Sequence, residues 1–427
     1  MPVTPEAMAA LRLRGDDLAD ATVDALFAAG EIGHFNTLMR WFERVGDPLP
    51  EGLPQVARDY LAATMTPPDW VDWDRMETAR MFFIDNNVHI STALSFASMP
   101  ACYMLPHVAK LLAATHALDY PSNRMAATGQ FTVYLMRPDA FEAGGTFVPA
   151  AQKVRLLHAS IRHHLRREGA WDEATWGVPI CQEDMIGGQM MFSIQVLDAL
   201  HRLGVHVTEA GADAYFYAWR VVGAMLGVDT GTAPVDLSEA RDFSDLYMTK
   251  FMGPSEAGVS LTRQLIELYE EVVPGTLLDP VVPALIRYLV GDTAADWLQV
   301  PRSAVFDHLV PVAPLLLGVT EHLKERSPLA AMVIDRLGAV TTRFELSSLT
   351  RGRVMHYAIP DHLKDEYGVD RPRDERWTPP PVSALLADLT NPGGNPADPA
   401  NPADPADPAD LAESADPAGA TDQPAGA

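Results

Sequence analysis

Apolar residues recur at the spacing of an α-helix along most of this 427-residue chain. The pattern is clearest in residues 76–99, 105–117, 183–203 and 208–227. No stretch alternates polar and apolar residues with the period of two that a half-buried strand requires. Because 48% of the residues are hydrophobic, the chain has enough apolar surface for a sizeable core. The sequence therefore predicts an all-α fold.

Composition divides the chain into three parts. Residues 1–74 contain short helical patterns interrupted by proline and by a turn at Gly30, which predicts an N-terminal helical capping region and not an independent domain. Residues 75–377 predict a single multi-helix domain. From residue 378 onward Pro, Ala, Asp and Asn dominate, and the aromatic and branched residues that offset the entropy of ordering are missing. We expect 378–427 to be a disordered tail.

Charge and cysteine content narrow the classes of partner. The formal net charge of -25 argues against nucleic acid or an anionic membrane, because both require concentrated Lys and Arg. Cys102 and Cys181 are far apart and form no CxxC motif, so neither a disulfide framework nor a structural zinc site is expected. The longest apolar run, 309–319, is too short for a membrane span, and the first residues lack the pattern of a signal peptide. We predict a cytoplasmic protein without an integral membrane segment.

The stretch 151–168 carries the strongest candidate for a site. It predicts an amphipathic helix on which His158 shares an apolar stripe with Ile161, while Arg155 and Arg162 flank the histidine at i-3 and i+4. A neutral imidazole facing the core can ligate a metal or haem iron, and neighbouring arginines can pair with haem propionates. A hydrogen-bonded core histidine explains the same spacing, so both interpretations stand on the pattern alone.

Several motifs in a fixed order carry a resemblance to a known family. They are Arg124-xxx-Thr128, the run Val154-Arg155-Leu156-Leu157-His158-Ala159 followed by Arg162, and Trp176-Gly177-Val178-Pro179-Ile180-Cys181-Gln182-Glu183-Asp184. On these motifs the chain resembles the latex-clearing proteins (rubber oxygenases) and the MpaB-like oxygenases.

The resemblance implies a haem-dependent oxygenase or related oxidoreductase with haem b as its cofactor. It makes His158 the proximal ligand of the haem iron, and it gives Arg124 and Thr128 a part in retaining the haem. Arg155 and Arg162 are further predicted cofactor-binding residues. The implied partners are a small apolar substrate and O2 or peroxide.

The chain also departs from the rubber oxygenases. They carry a lysine just before the threonine, where this chain has Ala127, and they use an upstream distal glutamate, whereas the stretch 106–110 contains no carboxylate. The resemblance therefore implies that rubber is not the substrate. His107 and Lys110 are candidates for a distal role, with a surface or packing role as the alternative.

Other interpretations remain open on the sequence. Glu183 and Asp184 either belong to the signature of the family or only complement the macrodipole of the helix that they open. Glu31 and His34 match one half of a di-iron ExxH pattern, but the sequence has no second copy. For the whole chain the alternatives are a non-catalytic haem-binding or sensing protein, and a helical scaffold without a cofactor.

Overall fold

A computed structural model describes residues 4–39, 42–114, 121–272 and 280–310, and all of them belong to one compact unit. Across these residues the backbone forms helices and no strands, which confirms the predicted all-α fold. The predicted tail, 378–427, lies outside the described residues.

Short helices form the N-terminal region. They are α1 (Pro5–Leu11), α2 (Asp17–Ala28), α3 (Ile32–Leu38) and α4 (Gln55–Ala63). Thr4 and Asp16 cap the first two, because their side-chain oxygens accept the backbone N–H groups of Ala7 and Ala19. The chain turns after α2 at Gly30, whose φ of 70° lies in the left-handed region, as the sequence predicts.

The longer helices follow along the chain. They are α5 (Trp73–Asp85), α6 (Asn87–Ala93), α7 (Met99–Tyr103), α8 (Pro106–Ala114), α9 (Pro121–Leu135), α10 (Phe147–Glu168), α11 (Glu173–Trp176), α12 (Gln182–Phe192), α13 (Ile194–Arg202), α14 (Glu209–Met225), α15 (Leu237–Phe251), α16 (Glu256–Val272), α17 (Val281–Val290), α18 (Asp292–Trp297) and α19 (Phe306–Leu309). A π-helical turn, Leu94–Ser98, joins α6 to α7.

Helix breaks are the main difference from the sequence pattern. The single helix predicted over 183–203 is two helices, because the chain bends at Ser193, whose hydroxyl donates to the carbonyl oxygen of Gln189 at 2.7 Å. The helix predicted over 76–99 is likewise interrupted at Asn86. The predicted N-cap at Thr208 is confirmed by its bond from the backbone N–H of Gly211.

Helix α10 contacts every large hydrophobic cluster among the described residues. Leu156 and Ala159 pack with buried side chains of α2, α3 and α4. Val154 packs against a second cluster that is centred on α5, α13 and α14, and Ile161 packs against a third that includes α12 and α15. His158 therefore lies on the helix at which the separate parts of the core meet.

Among the described residues no single helix is both long and apolar enough to cross a membrane. One bent pair, Asn87–Tyr103 followed by Pro106–Ala113 at 98°, meets the length and composition criterion only when both halves are taken together. The cytoplasmic location stays a prediction.

Candidate cofactor site

His158 lies near the middle of α10 with protein on all sides of its ring. Its side chain nevertheless keeps partial exposure. Burial disfavours the imidazolium form and lowers the pKa of His158 to about 4; the charge of Arg162 lowers it further and that of Asp16 opposes the shift. The imidazole is therefore neutral near pH 7, which is the form that ligates a metal.

The hydrogen bonding of His158 bears on the two interpretations of the sequence. Its Nδ1 atom is buried and has no hydrogen-bond partner among the described residues. Leaving a buried polar atom unpaired costs about 1–3 kcal/mol, so core histidines are normally hydrogen-bonded. The unpaired nitrogen is compatible with a bound group at this ring. Nδ1 of His107 and of His164 is unpaired in the same way among the described residues, so the motif resemblance is what singles out His158.

The flanking arginines are already engaged by the N-terminal region. Arg155 forms a two-point pair with Asp16, with its Nε 2.5 Å from Oδ2 and its Nη2 2.9 Å from Oδ1. Arg162 donates from Nε to Asp20 at 2.6 Å and from Nη1 to the carbonyl oxygen of Ile180 at 3.1 Å. Both guanidinium groups thus pair with carboxylates of the protein, and their predicted contact with haem propionates stays a prediction. The buried Nη2 of Arg162 has no partner among the described residues.

Helix α9 carries the other two residues predicted to retain a cofactor. Thr128 is half-buried, and its carbonyl oxygen accepts the hydroxyl of Thr132 at 3.1 Å. Arg124 stands one helical turn earlier, and its side chain is not among the described groups. Because α9 packs against α10, the fold brings the segment with Arg124 and Thr128 next to the helix of His158. Their contact with a cofactor stays a prediction.

Helix α12 borders open space at one position, Gly188. Asp184, Gly188 and Phe192 keep partial exposure at a spacing of four residues, whereas the other positions of this helix are buried. A Cβ atom at Gly188 would meet nothing within 4 Å, although one at Gly187 would stand 2.6 Å from the ring of Tyr247. Open space beside an otherwise buried helix is compatible with a bound group there.

A buried charged cluster holds the N-terminus of α12. Arg12 donates from Nη1 to Glu183 at 2.9 Å and to Asp184 at 3.1 Å, and Lys250 donates to the other oxygen of Glu183 at 2.9 Å. The Glu183 side chain is 0% exposed. Both carboxylates lie in the first turn of the helix, where they complement its macrodipole, but their paired cations show that they also bind other elements to α12.

His107 belongs to the same cluster. Its Nε2 lies 3.0 Å from Asp184 Oδ1 and 3.1 Å from the hydroxyl of Tyr247, which itself donates to Asp184 at 3.1 Å. Burial alone would raise the pKa of Asp184, but the His107 hydrogen bond and the Arg12 charge bring it below its ordinary value. The structure thus gives His107 a packing role, and Lys110 is exposed on the surface.

Comparison with known proteins identifies the family. The model of the family described as "ER-bound oxygenase mpaB/B'/Rubber oxygenase, catalytic domain" matches residues 87–315. The chain belongs to this oxygenase family. Membership confirms the resemblance drawn from the sequence motifs and makes the chain a member of a family of oxygenases, which are oxidoreductases.

Individual relatives of this oxygenase-family protein agree with that assignment. A protein named rubber oxygenase, from Streptomyces sp. (strain K30), is 26% identical over 351 residues, which are 81% of this chain and 85% of the relative. The solved structure described as latex clearing protein LCP in the closed state superposes with a TM-score of 0.66. It is 24% identical and covers 73% of this chain and 84% of that chain, and the likeness shows a shared fold.

Several residues around the candidate site could not be recognised from any motif in the sequence. Arg12, Asp16 and Asp20 precede the segment that the family model matches, yet they bind α10 and α12 within it. Among the described residues no three His, Cys, Asp or Glu side chains are placed to hold a metal ion, so Glu31 and His34 gain no further ligands there.

Proposed function

We propose that this chain is a haem b-dependent oxygenase, or a closely related oxidoreductase, that acts on a small apolar substrate with O2 or peroxide. Family membership supports the reaction class. The observation that carries the cofactor is His158, a neutral imidazole with an unpaired buried nitrogen. In this proposal His158 would bind the haem iron.

The residues around His158 fit such a group. Thr128 and Arg124 stand on the neighbouring α9, and Arg162 keeps one buried N–H group free for an acceptor. Arg155 donates from two nitrogens to Asp16. We therefore assign Arg155 a supporting part in the cofactor site, through that carboxylate. Bound haem would supply the oxidation chemistry, which is a property of the cofactor and not of any side chain.

The protein itself would contribute a dry environment and a fixed protonation state. Burial keeps the His158 imidazole neutral, so no proton has to leave it before it binds iron. Val154 and Ile161 extend the apolar surface along α10, and each belongs to a different hydrophobic cluster. We infer an apolar substrate because apolar side chains dominate the surroundings of this helix.

We further infer that the substrate is not rubber. Ala127 occupies the position at which the resemblance implies a lysine, and no carboxylate stands in 106–110. In this proposal His107 has a packing role, since its Nε2 is bound by Asp184 and Tyr247. A non-catalytic haem sensor is the second candidate, and the loss at position 127 is the observation that favours it.

An absorption spectrum tests the cofactor. We expect a Soret band when the purified protein is supplied with ferric haem b, and its absence would contradict the proposal. His158→Ala should abolish haem retention, since it removes the residue that would bind the iron. His163→Ala is the matched control, because His163 lies on the same helix but pairs with Asp24 near the surface. This control should keep the band.

Oxygen uptake then separates an enzyme from a sensor. We expect the haem-loaded protein to consume O2 or peroxide with small alkenes and not with polyisoprene. Binding of CO without turnover across a broad panel of apolar substrates would favour the sensor. Turnover of polyisoprene would show that the residues at 106–110 and 127 do not decide the substrate.

A further inference from the structure

Ion pairs bracket His158 on both sides along one flank of α10. Arg155 precedes the histidine by three residues and Arg162 follows it by four, so the three side chains are neighbours on the helix surface. Each arginine binds a carboxylate from the start of α2, namely Asp16 and Asp20. The turn of α10 that carries His158 is therefore fixed at both of its ends by α2.

Each pair has one buried partner. The side chains of Arg162 and Asp16 are 1% and 3% exposed, whereas those of Asp20 and Arg155 are 19% and 14% exposed. Ion pairs in such surroundings are weakly screened by solvent, and each partner holds the other in place because an unpaired charge there is strongly disfavoured. The pairs are thus rigid contacts and not mobile surface ones.

Glycines make room for both pairs. A Cβ atom at Gly15 would stand 2.5 Å from Asp20 Oδ2 and 3.3 Å from Arg162 Cδ. A Cβ atom at Gly227 would overlap Asp16 Oδ2 and approach Arg155 Nε to 2.8 Å. The backbone approaches each pair so closely that a side chain at either glycine would displace it.

Arg162 also extends the connection to α12. Its Nη1 donates to the carbonyl oxygen of Ile180, one residue before the N-cap of that helix. Ile180 has a φ of 49°, an unfavourable value for a β-branched residue, so the surrounding contacts must hold it there. The Asp20–Arg162 pair thus connects α2, α10 and the entry to α12.

We propose that Asp16 and Asp20 are positioning residues for the cofactor, holding Arg155 and Arg162 on either side of His158 and so fixing the turn of α10 that carries its imidazole. The inference rests on the proposed function, in which His158 ligates haem iron. It assigns a part in the cofactor site to a segment that precedes the family-matched residues 87–315. The charges of Asp16 and Arg162 also act on the His158 ring directly and in opposite directions.

The test uses charge-neutral variants of similar shape. Asp16→Asn keeps a side-chain oxygen that can cap α2, so it removes the charge without removing the cap. Asp20→Asn does the same for the second pair. Asp24→Asn is the matched control, because Asp24 also lies on α2 and also binds α10, through His163 at 2.6 Å, but its side chain is 65% exposed.

Ferric haem b is titrated into each apo-protein, and the midpoint potential of each complex is measured. We expect Asp16→Asn and Asp20→Asn to weaken haem binding roughly 10- to 100-fold, as the loss of partners that orient a metal ligand commonly does. Both should raise the midpoint potential, because removing a negative charge near the iron disfavours the ferric state. Asp24→Asn should leave affinity and potential unchanged.

The outcomes separate this inference from the proposed function. No Soret band in the unmodified protein would remove both. Suppose that the unmodified protein binds haem, but Asp16→Asn and Asp20→Asn have the same haem affinity and midpoint potential as Asp24→Asn. That result would overturn only the positioning role. If Asp16→Asn does not fold because Arg155 has lost its partner, the double variant Asp16→Asn/Arg155→Gln removes that unpaired charge as well. This folded double variant should still bind haem weakly, and unmodified affinity in it would contradict the inference.

Discussion

His158 combines the spacing of a core histidine with a ring that burial holds in its neutral form. Spacing places it on an apolar stripe of α10, which is equally typical of a core residue. The structure adds an unpaired Nδ1 and a neutral ring beside Arg162 and Asp16. A ring held neutral in this way makes the unliganded protein sensitive to acid.

The apo-protein should lose stability between pH 7 and pH 5 because of His158. The folded pKa of about 4 lies below the ordinary value of 6.5, so in this window the unfolded chain binds the extra proton and acid favours unfolding. The contribution between these pH values is about 2 kcal/mol. Urea unfolding at both values should show that His158→Gln removes this part of the loss. An unchanged pH dependence in the variant would mean that the ring already titrates normally in the folded protein.

The partners of the flanking arginines could not be predicted from the sequence. The pattern 151–168 correctly indicates an amphipathic helix, and Arg155 and Arg162 fall on its flank as expected. Their carboxylates, however, lie 139 and 142 residues earlier in the chain. No local periodicity relates residues so far apart, because the packing of α2 on α10 brings them together.

At the scale of an element, α12 shows how adjacent positions differ. Gly187 and Gly188 are equivalent in the sequence, yet the first stands against Tyr247 and the second faces open space. The apolar pattern correctly predicts a helix at both glycines. It does not predict the bend at Ser193, because a buried serine does not interrupt the spacing of the apolar residues. The hydroxyl bond to Gln189 that accompanies the bend is a feature of the folded chain.

Alanine at these glycines should therefore have opposite effects. Gly188→Ala is expected to stabilise the apo-protein by about 0.5–1 kcal/mol, since alanine is the better helix former and meets no obstacle. Gly187→Ala is expected to destabilise it by about 1–3 kcal/mol through overpacking against Tyr247. Urea unfolding of the apo-proteins measures both.

Haem titration of the same pair tests whether the open space is used. If the bound group occupies the space beside Gly188, the added methyl group should weaken binding although the apo-protein is more stable. Equal haem affinity in Gly188→Ala and the unmodified protein would show that the cofactor lies elsewhere.

At the scale of the whole molecule, the N-terminal region is joined to the family-matched residues by buried charge. Arg12 binds Glu183 and Asp184, and the pairs made by Asp16 and Asp20 lie farther along the same segment. The sequence predicts a capping region here, but the charged residues of this region do not indicate how far its contacts extend into the core. A fragment that begins at residue 87 would leave the residues that Arg12, Asp16 and Asp20 bind without their counter-ions.

Removal of residues 1–24 should prevent stable folding. Breaking a buried ion pair by removing one partner costs about 3–5 kcal/mol, and the loss of several is comparable to the total stability of a domain, about 5–15 kcal/mol. Circular dichroism during heating should show no cooperative transition in this variant. Removal of 380–427, which composition predicts to be disordered, is the control and should leave the transition in place. A cooperative transition without residues 1–24 would mean that solvent or other side chains replace the lost partners.

The separation between α2 and α10 has a consequence for synthesis on the ribosome. Asp16 and Asp20 emerge long before Arg155 and Arg162, and the apolar face of α2 has no complete partner until Leu156 and Ala159 have been made. The nascent chain must therefore carry exposed apolar surface through most of the translation of its first 160 or so residues. Folding of the N-terminal helices is thus timed by the appearance of the same helix that carries His158.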